Sequence, residues 1–307
     1  MSEADEVAET TGPTTVAPTE DPARYRRVLE GLTGIPATDG NQVDILRNGD
    51  EIFPAMLEGI RSATTSVDLL TYSWWRGQIT HAFADALAER ARAGVRVRLM
   101  VDSLGGRHLG RALADQMRRA GVLVHFFRPY ATYKLWNLNL RTHRRALVCD
   151  QEVAFTGGVG IAQQWTGDAR TAEEWRETHY RVRGPAVDGI HAAFLSNWLQ
   201  TPYELLDDRD RFPDRSPVGD MPVQTIRAAS EPGWNDLALT MHGMLSLAVE
   251  RVRGNADRRP CRQQNAPPER GVHVVSCRLL RVTGTARRCR QVRAPGRRSP
   301  VGPSAPR

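Results

Sequence analysis

Between Val43 and Phe127 the chain alternates helix-like and strand-like runs, and glycines stop two of the helices. Asn48-Gly-Asp-Glu opens a helix with Ile52, Met56, Leu57 and Ile60 on one face. SVDLLTYSWW (66–75) reads as a strand. Gln78 to Ala93 is an amphipathic helix that ends at Gly94. VRVRLMVD (95–102) is an alternating strand that ends at Asp102, ahead of a Gly105-Gly106 turn. Arg107 to Ala120 is a helix stopped by Gly121, and VLVHFF (122–127) is the next strand. A β-α-β-α-β order of this kind predicts a sheet with parallel strands and helices packed on it.

The grammar then changes. HRRALVCD (143–150), a Gln151-Glu152 turn and VAFTGG (153–158) predict a β-hairpin in place of another βα unit. WRETHYRVRG (175–184) reads as a strand, and Pro185 to Leu199 as a helix that ends before Thr201-Pro202. Residues 206–220 are polar and read as a linker. MPVQTIRAAS then looks strand-like and leads to a helix bearing Leu237, Met241, Met244, Leu245 and Ala248 on one face. The expected organisation is a disordered 1–24, a lobe over 41–205, the linker, the start of a second lobe over 221–253, and a basic low-complexity tail over 254–307.

Charge separates these regions. The formal net charge is +7, but residues 254–307 hold thirteen arginines against Asp257 and Glu269, so the body of the chain is mildly acidic. That makes a dedicated nucleic-acid groove the less expected reading and leaves the tail as a nonspecific polyanion binder. Arg, Pro and Gly scattered without a helical stripe suggest a GC-rich coding stretch read in a shifted frame. Cys149 stands apart from Cys261, Cys277 and Cys289, whose spacings match no zinc pattern. No apolar run reaches the roughly 18 residues of a membrane span, and the acidic N-terminus lacks a signal pattern. The expected location is the cytoplasm, peripheral to a membrane.

The chemistry concentrates in THRRALVCDQEVAFTGG (142–158). His143 and Arg145 are two apart, so on an extended chain they face the same side. An imidazole can attack phosphorus, and a cation beside it stabilises charge on non-bridging phosphate oxygens. Gly157 and Gly158 allow a backbone to approach phosphate closely. Asp150 is five residues beyond Arg145 and could not share their face on an unbroken strand. Asp102, at a strand's C-terminal end, reads equally as a ligand position or a helix cap. His179 reads as a hydrogen-bonded strand residue; His81, His108, His125, His191 and His242 read as surface or core. Trp74, Trp75, Trp165 and Trp175 read as packing residues.

The stretch resembles the phospholipase D superfamily, whose motif is His-x-Lys-x4-Asp followed by Gly-Gly/Ser-x-Asn, and within it the cardiolipin-synthase-like branch. HRRALVCDQEVAFTGGVGIAQQW and EWRETHYRVRGPAV carry the likeness. It implies an α/β/α sandwich with one complete lobe plus the start of a second. It also implies catalytic His143, Arg145 and Asp150, substrate-binding Gly157 and Gly158, no metal and no cofactor. Two residues depart from the pattern: Arg145 stands where the family has Lys, and Gly160 where it has Asn. Family members set two such motifs face to face, one His as nucleophile and the other as general acid. One is legible here, since His273 with Val275 does not match. Three functions stay open at this point: a phosphatidyltransferase or phospholipase acting on phospholipid through a phosphohistidine; a homodimeric nuclease-type phosphodiesterase that completes its site from two chains; and a truncated, non-catalytic lobe.

Overall fold

The computed structural model describes residues 21–129, 141–210, 212–227 and 236–247. The expected disorder of the first twenty residues and the basic tail lie outside these. Helix α1 (Pro22–Thr33) opens the described chain. It cuts into the segment expected to be disordered through residue 24, because Asp21 caps it by accepting the Ala23 N–H at 2.9 Å and Pro22 supplies a preset first helical residue.

Strand β1 (Thr38–Arg47) leads into α2 (Asn48–Ser62), and β2 (Ser66–Thr71) into α3 (Gln78–Arg92). Then come β3 (Arg96–Asp102), α4 (Arg111–Arg119), β4 (Leu123–Phe127), the hairpin β5 (Ala146–Cys149) and β6 (Val153–Gly157), β7 (Thr178–Arg183), α5 (Ala186–Trp198), β8 (Met221–Val223) and α6 (Asp236–Leu247). Among the described residues one sheet runs β4-β3-β2-β5-β6-β7-β1-β8. The β2, β3 and β4 pairings are parallel, as the βαβ alternation predicts, and every other pairing is antiparallel. Helices α2, α3 and α4 cover one face, with Ile52, Phe83, Leu87, Leu99 and Trp74 fully buried beneath them. Helix α5 covers the other, burying Phe194 and Trp198. The result is an α/β sandwich with the parallel strands buried on both faces.

Three expectations change on this frame. The alternation of β3 predicts polar residues facing water, yet Arg96 and Arg98 are buried. Arg98 forks onto Asp68 at 2.6 and 2.7 Å, and Asp210 accepts from Arg96 at 2.7 Å and from Arg98 at 3.0 Å. Asp207, Asp210 and the Leu205 carbonyl come from the segment at the start of the expected linker, so that stretch is a strap over the sheet. Burial alone would raise the Asp68 carboxyl, but hydrogen bonds from Arg98 and His191 and the charges of both arginines hold it at about 2. Strand β8 adds to the edge of β1 in the same sheet, and α6 packs on α1 with Gly243 against Leu29 and Leu32. Leu237, Met241, Met244 and Leu245 on α6 remain exposed. The hairpin is shorter than its sequence pattern: pairing starts at Ala146, so His143, Arg144 and Arg145 precede the ladder.

Candidate active site

The motif residues sit where β2 ends and the chain enters β5. Tyr72 follows directly on β2, and its ring stacks on the His143 imidazole with centroids 4.0 Å apart and planes 18° from parallel. His143 is otherwise exposed. Partial desolvation and the neighbouring Arg145 charge pull its pKa below the ordinary value, with Asp102 opposing. The imidazole is therefore neutral near pH 7, the form in which a ring nitrogen can act as a nucleophile.

Arg145 is half-buried beside it. Its Nη1 donates to the His143 carbonyl at 3.3 Å, its own carbonyl accepts from Thr156 Oγ1 at 2.9 Å, and its buried Nε has no hydrogen-bond partner. Burial weakens its basicity, and Glu177 and Tyr72 oppose that shift. A guanidinium this basic stays charged under any working condition, so the site holds a fixed cation with a donor to spare.

Glu177 belongs to no motif in the sequence. It stands next to β7, half-buried, with Oε1 accepting the Thr178 N–H at 2.9 Å and its backbone locked to Asn48 by two hydrogen bonds. A Cβ on Gly158 would lie 2.1 Å from Glu177 Oε2, and one on Gly157 2.5 Å from His179 Nδ1. Both glycines are thus needed for close approach, and the groups they admit are side chains of the site. At Gly160 a Cβ would meet Ser73 at 2.7 Å and the Trp165 ring at 2.8 Å, so the family's Asn has no room.

His179 is buried on β7 opposite Gly157, with Nδ1 unpartnered in place of the expected hydrogen bond. Burial, helped by Arg145, pushes its pKa down to about 3. Asp102 is fully buried at the end of β3, where Oδ1 accepts from Leu104 and Gly105 at 2.9 and 3.2 Å. Burial pushes its carboxyl up, against those two N–H donors and Arg141. Trp75, Trp165 and Trp175 pack on one another, and Trp75 Nε1 donates to the Gly105 carbonyl at 2.9 Å.

Asp150 is not brought to this group. It sits in a left-handed conformation, φ 53°, in the hairpin turn. Its carboxylate accepts from the Thr64, Thr65 and Ser66 N–H groups, each at 2.8 Å, and from Thr64 Oγ1 at 3.1 Å. Those residues lead into the start of β2, whereas Tyr72 and His143 lie past its end. At roughly 3.4 Å per residue the β5 strand separates the two by more than 13 Å, so Asp150 cannot touch what His143 touches.

Among the described residues Asp68, His191 and Asp210 bring three potential metal-ligating atoms within 4.8 Å of one another. Arg98 and Arg96 already occupy those carboxylates, and two guanidinium charges disfavour a cation there.

Residues 56–175 match the family model for the cardiolipin synthase, phospholipase D-like domain. Residues 56–175 are thus similar to the phospholipase D-like domain of the cardiolipin synthases. The chain is 31% identical over 186 residues to cardiolipin synthase 1 of Bacillus cereus, covering 60% of this chain and 36% of that one. It is 29% identical over 218 residues to the major cardiolipin synthase ClsA of Bacillus subtilis, covering 70% and 45%. It thus spans less than half the length of these relatives. Among solved structures it is similar to the phospholipase D family member Nuc from Salmonella typhimurium, with 16% identity, a TM-score of 0.41, and 52% and 95% of the two chains covered.

Proposed function

We propose that this domain carries one half of a phosphatidyl-transfer site, acting on phospholipid phosphodiesters at a membrane surface through a phosphohistidine on His143. The observation that carries the reading is the neutral, exposed imidazole of His143 held beside the fixed cation of Arg145. The match to the cardiolipin synthase domain supports phospholipid as the substrate class. Among the described residues no helix is long and apolar enough to cross a membrane.

In the first step an imidazole nitrogen attacks phosphorus. A P–N bond forms, the P–O bond to the first headgroup breaks, and the departing alkoxide takes a proton. An alcohol then attacks the same phosphorus, giving up its proton, and the P–N bond breaks to free His143. Arg145 neutralises the non-bridging oxygens in both transition states. The Glu177 charge supports the basicity of that guanidinium. Asp150 takes no part in these steps and anchors the far end of the hairpin.

The proton donor is a separate question. His179 is the neighbouring imidazole, but at about 3 its pKa leaves it neutral at pH 7 and unable to donate. One motif is legible in this sequence, so the acid comes from the same motif on a second copy of the chain.

The test is headgroup exchange in phosphatidylglycerol vesicles by the full chain and by His143→Ala. The reading predicts exchange that falls about a thousand-fold or more in the variant. Exchange unchanged in the variant, or turnover on single-stranded DNA but not on lipid, would overturn it.

A further inference from the structure

Arg144 lies between the nucleophile and its cation, and the mechanism leaves it without a task. Alternation along an extended chain turns its side chain away from the face shared by His143 and Arg145. There it meets the last turn of α5. Its Nη1 donates to Ser196 Oγ at 2.5 Å, to Asn197 Oδ1 at 2.8 Å and to the Ala193 carbonyl at 3.2 Å. Ser196 Oγ in turn donates to Ala193 O at 3.0 Å, so the three acceptors form one prearranged cluster.

Helix α5 has no basic residue in its own last turn. The carbonyls at a helix C-terminus carry partial negative charge that a cation stabilises, and Arg144 supplies that cation from another part of the chain. The attachment matters because of what the segment lacks. Residues 141–145 have no ladder pairing; the first paired residue is Ala146. The segment is held by side chains instead. Arg141 ties its start to Ser103 Oγ at 3.1 Å and Arg128 O at 2.9 Å, and the Arg145 carbonyl ties its end to Thr156. On either side of His143, the Thr142 N–H donates to the Asp102 carboxylate and Arg144 reaches α5.

We propose that Arg144 is a positioning residue that clamps the unpaired motif segment to the C-terminal end of α5 and so fixes the His143 imidazole in its stack on Tyr72. The consequence for turnover rests on the phosphatidyl-transfer reading; the placement of the ring does not.

The experiment is NMR of the full chain labelled at histidine, comparing the native residue with Arg144→Met and Arg144→Lys, alongside headgroup exchange in phosphatidylglycerol vesicles. In Arg144→Met the His143 ring protons should lose the shift imposed by the Tyr72 ring. The His143 titration should also move up toward its ordinary value. Exchange should fall roughly ten- to a hundred-fold in kcat with KM little changed, as expected for a nucleophile displaced by about 1 Å. Arg144→Lys keeps the charge and one donor direction, and should recover part of both signals. If Arg144→Met fails to fold, Asn197→Ala, which removes one acceptor, should show a smaller change in the same direction. Unaltered His143 resonances in a folded Arg144→Met or Asn197→Ala chain would overturn the proposal. A native chain with no exchange would count against the transfer reading alone, since the ring shift is read without turnover.

Discussion

Strand β5 is four residues long, and its two ends are built on opposite principles. At the turn end Asp150 accepts four hydrogen bonds and the ladder runs to the last residue. At the other end His143 precedes the ladder, Arg145 Nε and His179 Nδ1 have no partner, and two glycines make way for charged or titratable side chains. The satisfied end contributes stability. The unsatisfied end leaves donors, a neutral imidazole and a cation available to a phosphate, which is where a transfer reaction needs them.

Substitutions that separate the two ends should therefore separate stability from turnover. The largest effect falls on chemistry alone. His143→Ala should abolish exchange while shifting the urea midpoint little, because an exposed ring with one stacking partner contributes within about 0.5 kcal/mol. Next is the buried network behind β5. Asp68→Ala takes from buried Arg98 its bidentate partner and leaves Asp210 as the carboxylate shared by Arg98 and Arg96, at a cost of about 3 kcal/mol read from urea unfolding.

Asp150→Ala should cost about 2 kcal/mol through lost hydrogen bonds at the turn, with exchange per folded molecule unchanged. A fall in exchange beyond the folded fraction would instead give this carboxylate a direct part in the reaction.

At neutral pH the smallest effect is that of His179, because its contribution changes only in acid. His179 titrates at about 3 in the folded chain against 6.5 for the free side chain. The unfolded state therefore takes up the proton first. The stability tied to the neutral ring is complete above pH 6.5 and is lost as pH falls toward 3, with a limiting slope of about 1.4 kcal/mol per pH unit. His179→Phe should flatten that part of the acid limb.

Much of the frame was legible because periodicity reports burial. Ile52, Met56, Leu57 and Ile60 line one side of α2, and the βαβ order yields the parallel strands. Periodicity fails where a second surface arrives from far along the chain. Arg96 and Arg98 alternate with apolar residues as an exposed edge would, yet Asp210, more than a hundred residues away, covers them. The Asp21-Pro22 start of α1 did carry a helix signal, but it was masked by the polar composition before it. His143 and Arg145 were visible through their spacing; the resemblance grouped Asp150 with them as catalytic, whereas its carboxylate holds the turn. Tyr72, Glu177 and the tie from Arg144 to α5 had no local signature, because each depends on elements separated by tens of residues.

The most direct test of the account is to locate the covalent phosphate. The full chain would be incubated with phosphatidylglycerol vesicles, quenched at alkaline pH where phosphoramidates survive, and mapped by peptide mass spectrometry. The account predicts a phosphatidyl adduct on the His143 imidazole, absent in His143→Ala and retained in Asp150→Ala. An adduct on another residue, or exchange proceeding in His143→Ala, would contradict it.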